Sequence, residues 1–253
     1  MSAKKDTKSM TSDVPCSQCP LRKTHAFSTV DSKELEFIQS FKKEMVLVDA
    51  GGVVISEGAN VGTLFTLFEG FAFRFKTLSN GRRQILNFLM PGDLVGLQER
   101  LSSGSPHGVE AVTKVRLCAF HRDRLWDLYR AFPNLGYDMT WLAAQERGLI
   151  DENLLSVGQR NASESIAMLL IQHYRRADRL ELGLANSVPF PYTQQHIADA
   201  LGLSLVHTSK TLSRLKKMGL QSIEKGRLSL PNPRALLKLA DYYDLPMKVT
   251  PLI

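Results

Sequence analysis

The stretch YTQQHIADALGLSLVHTSKTLSRLKK, residues 192–217, indicates a short helix, a turn and a second, basic helix. Thr193 and Ser204 are predicted to cap the two helices, because a hydroxyl accepts a hydrogen bond from the free N–H groups of a first turn. Gly202 falls where the turn requires a positive φ. This layout is that of a helix-turn-helix, whose second helix enters the major groove of DNA. Apolar residues recur at helical spacing, at Ile197, Ala198, Ala200 and Leu201 and then at Leu205, Thr208, Leu212 and Leu215.

A β-wing is predicted directly behind the second helix. Residues 222–230, SIEKGRLSL, form two short β-runs around the turn signal Lys225-Gly226. Cations at such a tip suit contact with phosphates, which positions a protein on DNA without reading its sequence. A plain amphipathic helix would explain the basic face alone, but not the cap, the turn and the hydrophobic register together. The residues predicted to face DNA are Thr193, Gln194, Ser204, Val206, His207, Ser209, Lys210, Ser213, Arg214, Lys217, Lys225 and Arg227.

The composition indicates a chain of two domains. A length of 253 residues favours two domains over one, and 43% hydrophobic residues support packed cores. No apolar run reaches about 18 residues, and the Lys-rich start lacks the apolar core of a signal peptide, so we expect a cytoplasmic protein with no membrane partner. The net charge of +7 suits a polyanionic partner. The odd number of cysteines, three, argues against a disulfide scaffold.

The N-terminal half shows short β-runs separated by glycine turns. Phe71, Phe73 and Phe75 alternate with residues 72, 74 and 76, which is the period of a half-buried strand. Many short strands with such turns favour a jelly-roll or a similar barrel. The predicted strands cover residues 44–49, 52–56, 64–67, 71–77, 83–88 and 109–120.

A long helix is predicted from about residue 134 to residue 156. A mostly apolar stripe recurs every three or four residues along it. Such a helix between two domains is either a simple linker or a dimer seam, and a helix-turn-helix usually works as a two-fold dimer on two half-sites. We therefore expect a homodimer. The stripe consists of Leu135, Met139, Leu142, Glu146, Leu149 and Asn153, and it continues through Ile150, Leu154 and Leu155.

The order of these parts resembles the Crp/Fnr transcription regulators over residues 16–239. The most specific match is LMPGDLVGL, residues 89–97, and residues 65–76 and GRRQI, residues 81–85, fit as well. The resemblance implies an α+β fold with an N-terminal β jelly-roll sensor barrel of the cyclic-nucleotide-binding type, a long dimerisation helix and a C-terminal winged helix-turn-helix. In this chain the resemblance implies a cysteine-containing N-terminal arm at 1–28, the sensor barrel at 29–132, the dimerisation helix at 133–158 and the winged helix-turn-helix domain at 159–253. The implied partners are palindromic double-stranded DNA, a second copy of the chain and RNA polymerase.

The resemblance argues against cyclic AMP as the ligand. Family members that bind it hold the phosphate with an Arg-Ser or Arg-Thr pair after a Gly-Glu turn. Here the turn carries Asp93, and the region where the arginine is expected contains HGVEAV, residues 107–112. The carboxylate of Glu110 would repel a phosphate. The segment GDLVG, residues 92–96, instead resembles the oxygen-sensing Fnr branch.

Members of the Fnr branch hold a [4Fe–4S] cluster with N-terminal cysteines and one cysteine late in the barrel. The resemblance places Cys16, Cys19 and Cys118 at three of these positions, with His25 where a further N-terminal cysteine is expected. Histidine replaces cysteine on iron in some clusters, and a Cys3His set is equally a zinc site. A thiol switch and a chain without a cofactor, in which Cys118 is a small buried hydrophobe, remain open. His107 and His121 are weaker ligand candidates.

The predicted reading residues depart from the Fnr pattern. Fnr-like helices use a Glu, a Ser and an Arg where this chain has Val206, Ser209 and Lys210. Lysine lacks the bidentate fork of arginine, and valine cannot accept a hydrogen bond from cytosine. We therefore predict a palindrome different from the usual Fnr site.

Rival functions remain open within and beyond the regulators. A regulator without a cluster would respond to a small molecule or to thiol oxidation. A barrel enzyme of the cupin kind would need converging His and Glu ligands, whereas residues 44–120 offer His107 with scattered glutamates. We therefore expect no enzyme. A pure protein-interaction module would not explain the basic helix and the wing, and the sequence assigns no role to residues 240–253.

Overall fold

The computed structural model describes residues 9–10, 13–60, 62–97, 104–242 and 248–253. The chain divides into two compact units. The sensor unit comprises Met1–Lys76, Phe88–Arg147 and Val249–Ile253, and the DNA-binding unit comprises Thr77–Asn87 and Gly148–Lys248. Within the described ranges, no helix is both long enough and apolar enough to cross a membrane.

The N-terminal half of the chain forms two antiparallel sheets. The strands and helices up to the end of the barrel are β1 (Ser9–Met10), α1 (Ser32–Phe41), β2 (Lys42–Val48), β3 (Val53–Ile55), β4 (Thr63–Glu69), β5 (Ala72–Thr77), β6 (Arg83–Leu89), β7 (Leu94–Val95), β8 (Gly108–Ala111) and β9 (Val115–His121). One sheet has the order β1-β2-β9-β4-β7 and the other the order β3-β8-β5-β6. Both sheets contribute to one apolar core, which contains Val46, Val54, Phe65 and Val109. The prediction of a β-sheet sensor domain is confirmed.

Two predictions for individual strands are wrong. The single run at 109–120 is two strands, because the chain turns between them and Thr113 bonds to Phe71 through its backbone N–H at 3.2 Å and its hydroxyl at 3.0 Å. The strand at 71–77 is not half-buried by simple alternation. Ala72 and Arg74 are buried as well as Phe73. Ala72 packs in the apolar core, and Arg74 is paired with the carboxylate of Glu146.

After the barrel come α2 (Leu125–Ala131) and the long helix α3 (Pro133–Gly158), which is close to the predicted span. The stripe expected at the dimer seam instead packs inside the chain. Its first three residues, 135, 139 and 142, belong to an apolar cluster of the sensor unit. Glu146 forms an ion pair with Arg74, and the side chain of Asn153 donates a hydrogen bond to the carbonyl of Leu86 at 2.7 Å. The two polar residues of the stripe, Glu146 and Asn153, therefore have their bonding partners within the same chain.

The DNA-binding unit contains α4 (Ala162–Arg179), β10 (Ser187–Pro189), α5 (Gln194–Leu201), α6 (Leu205–Lys217), β11 (Ser222–Glu224), β12 (Arg227–Ser229) and α7 (Pro233–Leu239). Strands β11 and β12 are the predicted wing, and β10 adds a third strand beside β12. Helix α4 was not predicted, although Asn161 and Glu164 form a capping box that marks its start. The hydrophobic register of α6 needs a correction at two positions, since Leu205 is exposed and Thr211, which was not predicted to be buried, is buried.

Candidate DNA-binding surface and cysteine site

Side-chain caps fix the two helices of the predicted motif. The hydroxyl of Thr193 accepts from the backbone N–H of His196 at 3.2 Å at the start of α5. The hydroxyl of Ser204 accepts from the N–H of His207 at 3.2 Å at the start of α6. Between them Gly202 has φ 66°, a left-handed conformation that glycine adopts without strain. The predicted helix-turn-helix is therefore formed, with α6 as its second helix.

The outer face of α6 is open to solvent. Val206 is 64% exposed, and Lys210 is exposed one turn further on, with Ser209 partly buried between them. The inner face is held by Thr208, which is fully buried, and by the apolar core of the unit. This face can therefore present the methyl groups of Val206 and the ammonium of Lys210 to a base edge. Of the other residues predicted to face DNA, Thr193, Gln194, Ser204, His207, Ser213, Arg214 and Lys217 are exposed.

Two of the predicted phosphate contacts are already used within the unit. The guanidinium of Arg227 donates to the hydroxyl of Ser187 at 2.8 Å and to its carbonyl at 2.7 Å. The guanidinium of Arg214 donates to the hydroxyl of Ser163. By contrast Lys225 is exposed at the wing tip, with φ 50°. Arg227 and Arg214 therefore brace the reading surface, while Lys225 points from the wing with its charge exposed.

The predicted cysteine ligands lie together in the sensor unit. Cys16 is buried in a one-turn helix of the arm, where its backbone N–H donates to the side chain of Gln39 at 2.6 Å. Cys118 lies on β9, paired in register with Thr66 of β4. Cys19 is half-buried, and all three thiols are free. Cys16 belongs to an apolar cluster against which Cys118 also packs, and Cys19 follows Cys16 by three residues.

Burial and nearby cations shift the pKa of Cys16 and Cys118 in opposite directions. Burial raises the pKa of Cys118 to about 12, and it also raises the pKa of Cys16. The ammonium of Lys42 lowers both values in part, and the guanidinium of Arg22 lowers the pKa of Cys16. The site therefore favours neutral thiols when no metal is bound. Metal binding displaces the thiol protons and leaves negatively charged thiolates, which the nearby cations would stabilise. Sequence reasoning missed Lys42 and Arg22, because isolated cations carry no motif.

The residues fit an iron–sulfur cluster only in part. In the described part of the chain, no three His, Cys, Asp or Glu side chains lie close enough to hold one metal ion. The cations near Cys16 and Cys118, which are Lys42 and for Cys16 also Arg22, would suit the thiolate ligands of a cluster. His25 is exposed on the arm.

Besides Lys42 near the cysteines, the sensor unit contains a second buried cation, Arg74. Arg74 is 2% exposed, donates to the carbonyl of Leu94 at 2.6 Å and pairs with Glu146. His107 is buried nearby, and its pKa is lowered to about 4 by burial and by the positive charges of Arg74 and Lys76. His107 is therefore neutral at physiological pH. The sequence marked none of these residues except His107 as a site candidate.

Comparison with known proteins gives the same division of the chain. A family model described as a cyclic nucleotide-binding domain matches residues 45–132, and a model described as a Crp-like helix-turn-helix domain matches residues 164–239. The chain is 30% identical over 225 residues to the nitrogen fixation regulation protein FixK of Bradyrhizobium diazoefficiens, covering 89% of this chain and 93% of that one. It is also 30% identical over 215 residues to the transcriptional activator protein FnrL of Cereibacter sphaeroides, covering 84% and 86% of the two chains.

Solved structures support the fold. FixK2 from Bradyrhizobium japonicum superimposes with a TM-score of 0.71 at 23% identity, covering 81% of this chain and 99% of that one. A Crp/Fnr family transcriptional regulator from Thermus thermophilus gives a TM-score of 0.63 at 19% identity, covering 78% and 98%. These relatives are regulators rather than enzymes. With the helix-turn-helix, the sensor barrel and relatives matched over most of their length, the chain belongs to the Crp/Fnr family of DNA-binding transcription regulators.

Proposed function

We propose that this regulator binds a palindromic DNA site as a homodimer and that the chemistry of its cysteine site controls binding. The exposed outer face of α6, capped and packed from beneath, is the observation that carries the DNA-binding part. Each chain has one recognition helix, which would bind one half-site. Two copies related by a two-fold axis would therefore bind a palindrome. RNA polymerase is the proposed partner at promoters, and the cytoplasm the proposed location, as for a bacterial-type regulator.

The proposed dimer seam lies on the solvent side of α3. Tyr137 is 70% exposed and Leu155 is 45% exposed, while Ala144 and Gly148 are exposed between them. With about 3.6 residues per turn, these four positions fall on one face of the helix. A Cβ added at Gly148 would meet no atom within 4 Å. The small residues would let two α3 helices approach closely, with a larger apolar side chain towards each end.

Recognition in the proposed complex relies on Val206, Ser209 and Lys210. The valine methyl groups suit the methyl of thymine, and the lysine suits guanine or a phosphate. Lys225 at the wing tip is a proposed phosphate contact, together with Lys217. Arg214 and Arg227 take a bracing role in this proposal because their guanidinium groups are bonded within the unit. The chain should therefore prefer a half-site different from that of regulators with Glu, Ser and Arg at these positions.

Selection of duplexes from a random DNA pool tests the DNA-binding part of the proposal. We expect the enriched sequences to contain an inverted repeat with half-sites about one helical turn apart. A matched duplex with one half-site scrambled is the control. Enrichment of single half-sites, or of no common sequence, would overturn the palindromic dimer.

Cys16, Cys19 and Cys118 are the proposed ligands of an iron–sulfur cluster. When bound, such a group would supply sensitivity to oxygen or to redox potential. The protein residues would hold it, with Lys42 and Arg22 stabilising its negative charge and α1 anchoring the arm through Gln39. His25 stays a proposed fourth ligand, which would require the exposed imidazole to turn towards the thiols.

Analysis of protein purified without oxygen tests the cluster. The cluster predicts iron and sulfide at about four per chain, a visible absorption band and loss of both in Cys19→Ser. Zinc without sulfide, or metal-free protein that still binds its selected DNA, would exclude the cluster. Metal-free protein whose DNA affinity changes on thiol oxidation would assign control to the thiols alone.

A further inference from the structure

The segment Val249–Ile253 docks beside the cysteine arm. Thr250 forms a parallel β-bridge with Phe27, which lies near the end of the arm. The N–H of Thr250 donates to the carbonyl of Ala26 at 3.0 Å, and the N–H of Ser28 donates to the carbonyl of Thr250 at 2.9 Å. This late segment is therefore an added strand-like element of the sensor unit, although it follows the DNA-binding residues in the chain.

The end of this segment lies over the cysteine-bearing strand. Leu252 and Ile253 are only 3% and 5% exposed, and Ile253 packs in the apolar cluster that contains Cys16. The hydroxyl of Thr66 donates to the carbonyl of Ile253 at 2.8 Å. Because Thr66 is the direct strand neighbour of Cys118, the segment ends next to this thiol.

One arm residue connects the segment with the thiols. The guanidinium of Arg22 donates to the carbonyl of Leu252 at 3.0 Å. The same guanidinium is close enough to Cys16, Cys19 and Cys118 for each of them to influence its pKa, which burial lowers. The backbone N–H of Arg22 also donates to the carbonyl of Cys19 at 3.2 Å, so this residue bonds both to the segment and to the cysteine arm.

We propose that Val249–Ile253 is a strap that closes the cysteine site and holds the arm on the barrel. With the strap in place, Ile253 and Leu252 restrict the access of solvent to the half-buried Cys118, and Arg22 is held beside the segment. Release of the strap would expose Cys118 and free the arm that carries the other two cysteines. The proposal deepens the cysteine control proposed above and rests on it for its regulatory meaning, but the closure can be measured separately.

Alkylation of the thiols in the full-length, metal-free, reduced protein tests the strap. Ile253→Asp places a charge in the apolar cluster, which should open the strap because a buried unpaired charge is costly. Val249→Asp adds the same charge at an exposed position of the same segment and is the matched control. We expect Ile253→Asp to raise the rate of Cys118 alkylation by iodoacetamide about tenfold or more through local opening, and Val249→Asp to leave it close to the wild-type rate.

Hydrogen exchange supplies the second readout. The amide of Ser28, which is bonded to Thr250, should lose its protection in Ile253→Asp and keep it in Val249→Asp. If Ile253→Asp fails to fold, a chain ending at Lys248 provides the same comparison. Equal alkylation and equal Ser28 exchange in the folded strap variant and wild type would overturn the strap. A cysteine site without influence on DNA binding would leave these two contrasts intact, so the two proposals can fail separately.

Discussion

The guanidinium of Arg74 on β5 is paired with the carboxylate of Glu146 on α3, inside the sensor unit. Both side chains are largely withdrawn from solvent, so each charge depends on the other. The pair joins the barrel to the helix that carries the proposed dimer face. It also explains why Arg74 is buried, although it alternates with the phenylalanines along β5 and was expected to face solvent.

Removal of one partner of this pair should destabilise the sensor unit. Glu146→Ala leaves a buried guanidinium without its carboxylate, which we expect to lower the free energy of unfolding by on the order of 3 kcal/mol. The measurement is urea unfolding followed by a sensor-unit probe. Arg74→Met combined with Glu146→Leu is the control, because removal of both charges should cost less than Glu146→Ala alone. A double variant less stable than the single variant would contradict this account.

Acid should destabilise the DNA-binding unit through His173. Burial lowers its pKa from 6.5 to about 4, although a 2.6 Å contact between its Nε2 and the carbonyl of Pro189 opposes the shift. The unfolded chain therefore takes up the proton first, and stability is lost as pH falls below about 6.5 and towards 4, by up to about 1.4 kcal/mol per pH unit. Unfolding between pH 7 and pH 5 should show a shallower slope in His173→Gln. Equal slopes in both proteins would contradict the buried neutral imidazole.

Lys210 should contribute to DNA affinity mainly through charge. Lys210→Gln should weaken binding to the selected duplex and reduce the slope of log affinity against log salt by about one. Fluorescence anisotropy over a range of salt concentrations measures both quantities. Lys238→Gln, an equally exposed lysine on α7, is the matched control and should leave the slope unchanged. A slope that is the same in Lys210→Gln and wild type would remove Lys210 from the interface.

Charge on the proposed dimer face should separate the two chains. Ala144→Arg introduces a long cation where two α3 helices would approach, so we expect monomers in sedimentation and a loss of palindrome affinity. Gln145→Arg places the same side chain on the neighbouring exposed position, about one third of a turn around the helix, and should stay dimeric. Dimers in both variants would place the seam elsewhere.

The parts of the fold that could be predicted from the sequence depend on local signals. Caps at Thr193 and Ser204 and the glycine turn at Gly202 act within a few residues, and the structure forms all three. The stripe on α3 was assigned to a partner chain because its spacing shows a buried face but does not show what covers it. The cover is the sensor core and Arg74 of the same chain.

The surroundings of the cysteines could not be predicted for a similar reason. The family resemblance singled out Cys16, Cys19 and Cys118, and the fold packs Cys118 against the cluster that contains Cys16. Lys42 and Ile253 reach the same neighbourhood only through long-range packing, whereas Arg22 lies three residues after Cys19 without forming a recognisable motif. The docking of Val249–Ile253 depends on backbone hydrogen bonds, which any sequence can make and which therefore leave no residue pattern.

Affinity for the selected palindrome, measured before and after exposure to air, tests the central claim most directly. The comparison uses anaerobically purified wild-type protein and Cys118→Ser at the same salt concentration. Control by the cysteine site predicts that air changes the wild-type dissociation constant by about tenfold, or about 1.4 kcal/mol, and leaves Cys118→Ser unchanged. A wild-type affinity that does not respond to air, or an equal response in both proteins, would contradict control by the cysteine site.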